Sequence, residues 1–150
     1  MKLYRHGILL LLGTFTLLFN TQVWSVDPVF SQSGVAISGY DPVAYFTDDR
    51  PVKGDPGVTH QWMGTSWQFA NKTNLKSFVD NPEKYAPQYG GYCAYAASSG
   101  YIAPTDPNAW TIHNDKLYLN YSKSVRKTWL KNKNGHINSA DKNWPGLKGG

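Results

Sequence analysis

Val58-Thr59-His60-Gln61-Trp62 and Ser66-Trp67-Gln68-Phe69 alternate apolar and polar residues on either side of Met63-Gly64-Thr65. A period of two marks strands with one buried face, and Gly64 supplies a permissive turn. The pattern therefore predicts a β-hairpin with Trp62, Trp67 and Phe69 packed on one side. Asn71 reads as a helix N-cap, with Leu75, Phe78 and Val79 at near-helical spacing until Asn81-Pro82 stops them. Pro82 to Ala86 makes a further short helical turn, ended by Pro87. Trp110-Thr111-Ile112-His113 and Lys116 to Tyr121 flank Asn114-Asp115, two residues that tolerate positive φ, and predict a second hairpin. Ser122 caps a helix through about Asn132 whose apolar face is Val125, Trp129 and Leu130. Asn134-Gly135 ends that helix, and Ile137, Trp144-Pro145 and Leu147 fold the remaining tail back onto the body.

Upstream the pattern is less decisive. Val26 to Ser33 reads as a loose arm and Gly34 to Ser38 as a short first strand, broken by Gly39-Tyr40-Asp41-Pro42. Val43 to Phe46 fits either a second strand or one helical turn capped by Asp41, with Pro42 at its first position. Thr47 to Gly57 is a polar loop, and Gly90 to Gly100 is a glycine-rich stretch around Cys93. No internal repeat or low-complexity segment stands out. The expected class is α+β: small antiparallel hairpins packed with two or three short helices.

Residues 1–25 have the form of an export signal. Lys2 and Arg5 precede an apolar run from Ile8 to Phe19, shorter than the roughly 20 residues of a bilayer span. Val23-Trp24-Ser25 offers a cleavage site after Ser25. Residues 26–150 then form a single expected domain in the periplasm or outside the cell, with no stable membrane anchor once the signal is removed.

Of the net charge of +5, Lys2 and Arg5 supply two, so the remainder is mildly basic. Lys123, Arg126, Lys127, Lys131 and Lys133 read as a solvated helix face, and no nucleic-acid motif is present. With 15% aromatic and 17% charged residues, aromatics must carry much of the core.

Asp41-Pro42-Val43, the hairpin ending Trp67-Gln68-Phe69, the run Leu75-Lys76-Ser77-Phe78 and the signature Asn81-Pro82-Glu83-Lys84-Tyr85 together resemble the YHS domain family. The resemblance covers residues 39–86. The segment Tyr89 to Tyr95, the second hairpin and Asn143-Trp144-Pro145 resemble a longer exported branch, making 87–150 an extension. The resemblance implies a metal-binding module of the kind attached to heavy-metal pumps and multicomponent oxygenases, with cysteines after Asp-Pro-Val and around the helix start. Those positions hold Ala44, Ala70 and Asn74 here, so the scaffold is expected to carry over and the thiolate set is not.

Cys93 is the one cysteine, and in an oxidising compartment a lone thiol has no internal partner. Three readings follow. In the first, Cys93 binds a transition metal or metal cofactor with His113 or His60, Met63 and Asp41 as further donors, the thiolate, imidazole and thioether suiting copper or haem iron better than hard cations. In the second, Cys93 is a redox or sensor thiol, which requires access and forms a mixed disulfide or sulfenate. In the third, Cys93 is packing and the chain is a non-catalytic module that binds an exported protein partner or a small ligand through a surface bearing Tyr89, Tyr92 and Tyr95. Ser98-Ser99 lacks a nucleophile-elbow pattern, and no acid/base pair stands out.

Overall fold

The computed structural model describes residues 26–149, so the export signal expected over residues 1–25 lies outside the described residues. The first hairpin is β3 (Asp55–Trp62) and β4 (Thr65–Phe69), joined by Met63 and Gly64 at φ of 50° and 75°. Two successive left-handed residues give the turn whose twist matches the strands, so Thr65 belongs to the strand and pairs with Trp62. β3 begins inside the stretch read as polar loop. Asn114 and Asp115, at φ of 50° and 55°, make the same kind of turn between β5 (Asp106–His113) and β6 (Lys116–Asn120).

β1 (Ser31–Gln32) and β2 (Val35–Ala36) extend the first sheet to the order β1-β2-β4-β3, with Val35 parallel to β4 opposite Ser66. The arm expected to be loose is therefore pinned: Val29 is buried and the Phe30 N–H donates to the Gly90 carbonyl at 2.8 Å. The strand expected over Gly34 to Ser38 stops at Ala36, because Ile37 and Ser38 turn left-handed into a tight turn at Ile37–Gly39.

Side-chain caps set the helices. Asp41 resolves the ambiguity after Pro42 in favour of helix α1 (Ala44–Thr47), accepting the Val43 and Ala44 N–H groups. The Asn71 Oδ1 accepts the Asn74 N–H at 2.8 Å to start α2 (Lys72–Asp80), and Asn81 starts α3 (Pro82–Tyr85). Ser122 accepts the Val125 N–H at 3.2 Å to start α5 (Lys123–Leu130). Of the expected apolar faces, Phe78 and Trp129 are buried, while Val79 and Leu130 face solvent at 45% and 39% exposure.

Two helices were not anticipated. α4 (Ala94–Ser98) lies in the glycine-rich stretch, and the tail is α6 (Lys133–Gly149), running through Asn134-Gly135 and Pro145. Ile137, Ala140, Trp144 and Leu147 recur at steps of three and four and pack against Ala94, Ala97 and Tyr89. That burial outweighs the poor helix propensity of Gly135 and the hydrogen bond lost at Pro145.

The second half of the chain rebuilds the first. Asp55 to Asp106, Trp62 to His113, Thr65 to Lys116, Asn71 to Ser122 and Phe78 to Trp129 are all steps of 51 residues. They join strand start to strand start, strand end to strand end, cap to cap and core aromatic to core aromatic. Asp55 faces Phe69 as Asp106 faces Asn120, and in both hairpins the register then slips before Thr59–Gln68 and Trp110–Leu119. Asp55 and Asp106 each precede proline and accept the N–H two residues on, at 2.7 and 2.8 Å. Upstream, Gly39-Tyr40-Asp41 corresponds to Gly91-Tyr92-Cys93, with the glycines at φ of 80° and 81°, a conformation that favours glycine. Few side chains are identical, so the repeat escapes a reading of the sequence. Size is kept instead: Trp67 lies 5.0 Å from Phe78 at 33°, and Tyr118 lies 5.4 Å from Trp129 at 38°.

β6 is the wall between the two cores. Leu117 and Leu119 join Trp67, Phe69 and Phe78 on one side, while Tyr118 joins Trp129, Ala97 and Ala140 on the other. A strand buried on both faces follows directly from its run Leu117-Tyr118-Leu119.

Candidate functional site

Asp41 is fully buried and its carboxylate is saturated. Oδ1 accepts the N–H of Val43 at 2.8 Å and of Ala44 at 3.3 Å, and Oδ2 accepts the N–H of Ala70 at 2.8 Å and the side-chain amide of Asn74 at 2.7 Å. The three positions where the YHS resemblance puts cysteines, Ala44, Ala70 and Asn74, thus gather around one carboxylate. Alanine offers no side-chain donor, Asn74 could offer only a hard amide oxygen in place of a thiolate, and a cation would have to displace the four N–H donors that point at the Asp41 oxygens. A metal of the family type does not fit these residues. Asp41, expected among the metal donors, is instead the anchor that ties α1 to the β4–α2 junction.

Cys93 is the counterpart of Asp41 in the second unit. The Asp41 N–H donates to the Val52 carbonyl at 2.8 Å, and the Cys93 N–H donates to the Ala103 carbonyl at 3.0 Å. Asp41 receives the N–H of Ala70 after β4, and the Cys93 Sγ receives the N–H of Tyr121 after β6 at 3.3 Å. The thiol in turn points its weak S–H toward the Asn120 Oδ1 at 3.7 Å. That oxygen also accepts the Tyr95 N–H at 3.2 Å, in the first turn of α4. At 1% exposure, Cys93 is an internal acceptor that joins β6 to α4. The Asn120 side-chain amide nitrogen and the Trp129 indole N–H are buried in the same unit without a hydrogen-bond partner among the described residues.

The remaining expected donors are dispersed. His60 is half-buried on β3, edge-on to Phe78 with centroids 6.4 Å apart. Met63 stands at the hairpin tip, 49% exposed. His113 pairs with Lys116 at the turn end of β6, whereas Cys93 touches Asn120 and Tyr121 at the other end, roughly 13 Å along the strand. Its Nε2 is 3.1 Å from the Asn134 Oδ1, which makes Nε2–H the donor. Among the described residues no three His, Cys, Asp or Glu side chains come together as a metal site.

The expected tyrosine surface is also turned inward. The Tyr89 hydroxyl donates to the Asp141 Oδ1 at 2.9 Å, and burial, followed by that carboxylate, pushes its ionisation far above the ordinary phenol range. Tyr92 is buried and donates to the Asp27 carbonyl at 3.1 Å, with its ionisation raised first by burial. Tyr95 is half-buried against His136, with centroids 5.0 Å apart.

What the fold leaves open is a cleft of about 310 Å³ between the docked arm, the β3–β4 turn, α3 and α6. Trp62, Trp67, Trp144, Met63, Tyr89 and Pro87 form its walls, and Glu83, Gln88 and Lys148 supply its polar groups. Trp67 is held by its indole N–H to the Trp62 carbonyl at 3.1 Å, and Trp144 is wedged against Tyr89 and Tyr92 at 6.0 Å from each. Two of the walls, Trp67 and Trp144, are thus held by contacts within the protein itself. Met63 and Tyr89 are the only expected site residues that reach this cleft. Its other walls come from segments far apart in sequence, and Trp62 and Trp67 signalled only a core face. Comparison with family models, with characterised proteins and with solved structures returns no match for this chain.

Proposed function

We propose that the chain is an exported, non-catalytic binding module of YHS type that takes a small, largely apolar ligand in the tryptophan cleft, with Cys93 as a structural residue. The observation that carries this reading is the cleft: a concave, preorganised site of about 310 Å³ with aromatic walls and a few polar groups, the usual make-up of a small-ligand site. The gathering of Ala44, Ala70 and Asn74 on Asp41 supports a YHS scaffold that has exchanged its metal for a hydrogen-bonded carboxylate. Burial of Cys93 argues against the redox reading, which needs an accessible thiolate, and the dispersal of His60, Met63, His113 and Asp41 argues against the metal reading, which needs several donors on one ion. Export to the periplasm or the exterior rests on the pattern of residues 1–25. Among the described residues no helix is long and apolar enough to cross a membrane.

Titration with indole as a small aromatic probe tests the cleft. The indole N–H resonances of Trp62 and Trp144 are expected to shift saturably while that of Trp110, outside the cleft, stays in place. Met63→Glu, at an exposed turn, is expected to weaken the response about tenfold. Uniform shifts of all tryptophans, or equal binding by Met63→Glu, would remove the cleft from the proposal.

A further inference from the structure

The tryptophan cleft has a twin. Adding 51 to Trp62, Met63, Trp67, Glu83, Ala86 and Pro87 gives His113, Asn114, Tyr118, Asn134, Ile137 and Asn138, and these six, with Lys116, line a second groove of about 600 Å³. The concavity is thus a product of the repeated unit, formed both times where the hairpin turn meets the helical segment that follows the unit. Its chemistry has been changed between the two copies. Trp62 has become His113, Met63 has become Asn114, and Glu83 and Pro87 have become Asn134 and Asn138.

We infer that this groove is a second binding site, and that its ligand is an acidic saccharide. Three side-chain amides, Asn114, Asn134 and Asn138, present both donors and acceptors, and sugar hydroxyls need both. Tyr118 and Ile137 supply an apolar floor for the C–H face of a pyranose ring. The cation is Lys116: no acidic side chain lines the groove, and among the described residues the one ion pair is Lys76–Asp80, which leaves Lys116 unpaired. His113 is already fixed, its Nε2–H held by Asn134, so its ring orients that amide. A simple oxyanion would leave the amides and the floor unused, and a neutral sugar would leave Lys116 unused. A uronic acid uses all of them. The inference does not depend on what occupies the tryptophan cleft.

The test is an amide-resolved titration of the purified protein with methyl glucuronide, methyl glucoside and inorganic sulfate in parallel, at equal ionic strength. Methyl glucuronide is expected to give saturable shifts at Asn114, Lys116 and Asn138, binding about tenfold tighter than either other probe. Lys116→Glu and Asn138→Leu both alter exposed positions. Lys116→Glu is expected to weaken methyl glucuronide at least tenfold, and Asn138→Leu should weaken both sugars together. Equal binding of glucoside would overturn the role of Lys116, and equal binding of sulfate would reduce the groove to an anion site. Shifts at Trp62 and Trp144 instead, or none that saturate, would overturn the inference outright.

Discussion

Asp41→Ala is expected to lower the unfolding free energy by about 4 kcal/mol, near the top of what a single substitution does. The carboxylate accepts four N–H donors at the junction of α1, β4 and α2. Removing it leaves buried backbone donors unsatisfied, each costing about 1–3 kcal/mol. Asp41→Asn separates shape from charge: one face of its amide keeps an acceptor, and the other turns a donor toward two donors. A loss of about 2–3 kcal/mol is expected for it. Urea denaturation with an unchanged slope measures both. A loss below about 1 kcal/mol for Asp41→Ala would show that the four donors find other acceptors, and would undo the role assigned to this residue.

Trp67→Ala is expected to cost a similar amount, about 3–5 kcal/mol. Its ring is enclosed by Trp62 and Phe78 at 5.7 and 5.0 Å between centroids, and the side chain is almost fully buried. The same substitution deepens the cleft and removes one of its walls, so indole binding should fall with stability. Trp67→Phe keeps most of the volume but frees the Trp62 carbonyl, and should recover more than half of the loss. Thermal and urea unfolding together with the indole titration read both effects. Full stability in Trp67→Ala would mean that the core closes without the ring.

Both residues were visible in the sequence, though in different lights. Asp41 before Pro42 and Trp67 in an alternating run carry local signals, and so do the caps Asn71 and Ser122, because a cap or a hairpin is decided by neighbours a few residues away. α6 has a weaker signal. The steps from Ile137 to Ala140, Trp144 and Leu147 are helical, but Gly135 and Pro145 obscure them, and the helix forms because α4 offers small residues, Ala94 and Ala97, for it to pack on. The cleft left no local trace, since the arm, the first hairpin, α3 and α6 meet only after folding. The repeat was hidden for a related reason. Its units share hydrogen-bond positions and core volumes, and the side chains that realise them differ: Asp41 and Cys93 accept equivalent backbone donors, the Ala70 and Tyr121 N–H groups, with different atoms.

That correspondence also explains the lone cysteine. A thiol reads as candidate chemistry when taken by itself. As the counterpart of a buried carboxylate, it is a smaller and weaker acceptor at a junction needing fewer hydrogen bonds, with Asn120 taking the Tyr95 N–H that would otherwise lack a partner. The functional weight of the molecule then rests on its two concave sites, one aromatic and one polar.

All of this depends on Cys93 lying in the interior of the native protein. The direct measurement is the rate at which a thiol-specific reagent modifies the folded chain. The account predicts that labelling of the folded chain is slow, because only the small opened fraction reacts, and becomes stoichiometric and fast only in denaturant. Rapid stoichiometric labelling of the folded protein would contradict it, and would return Cys93 to the reactive site.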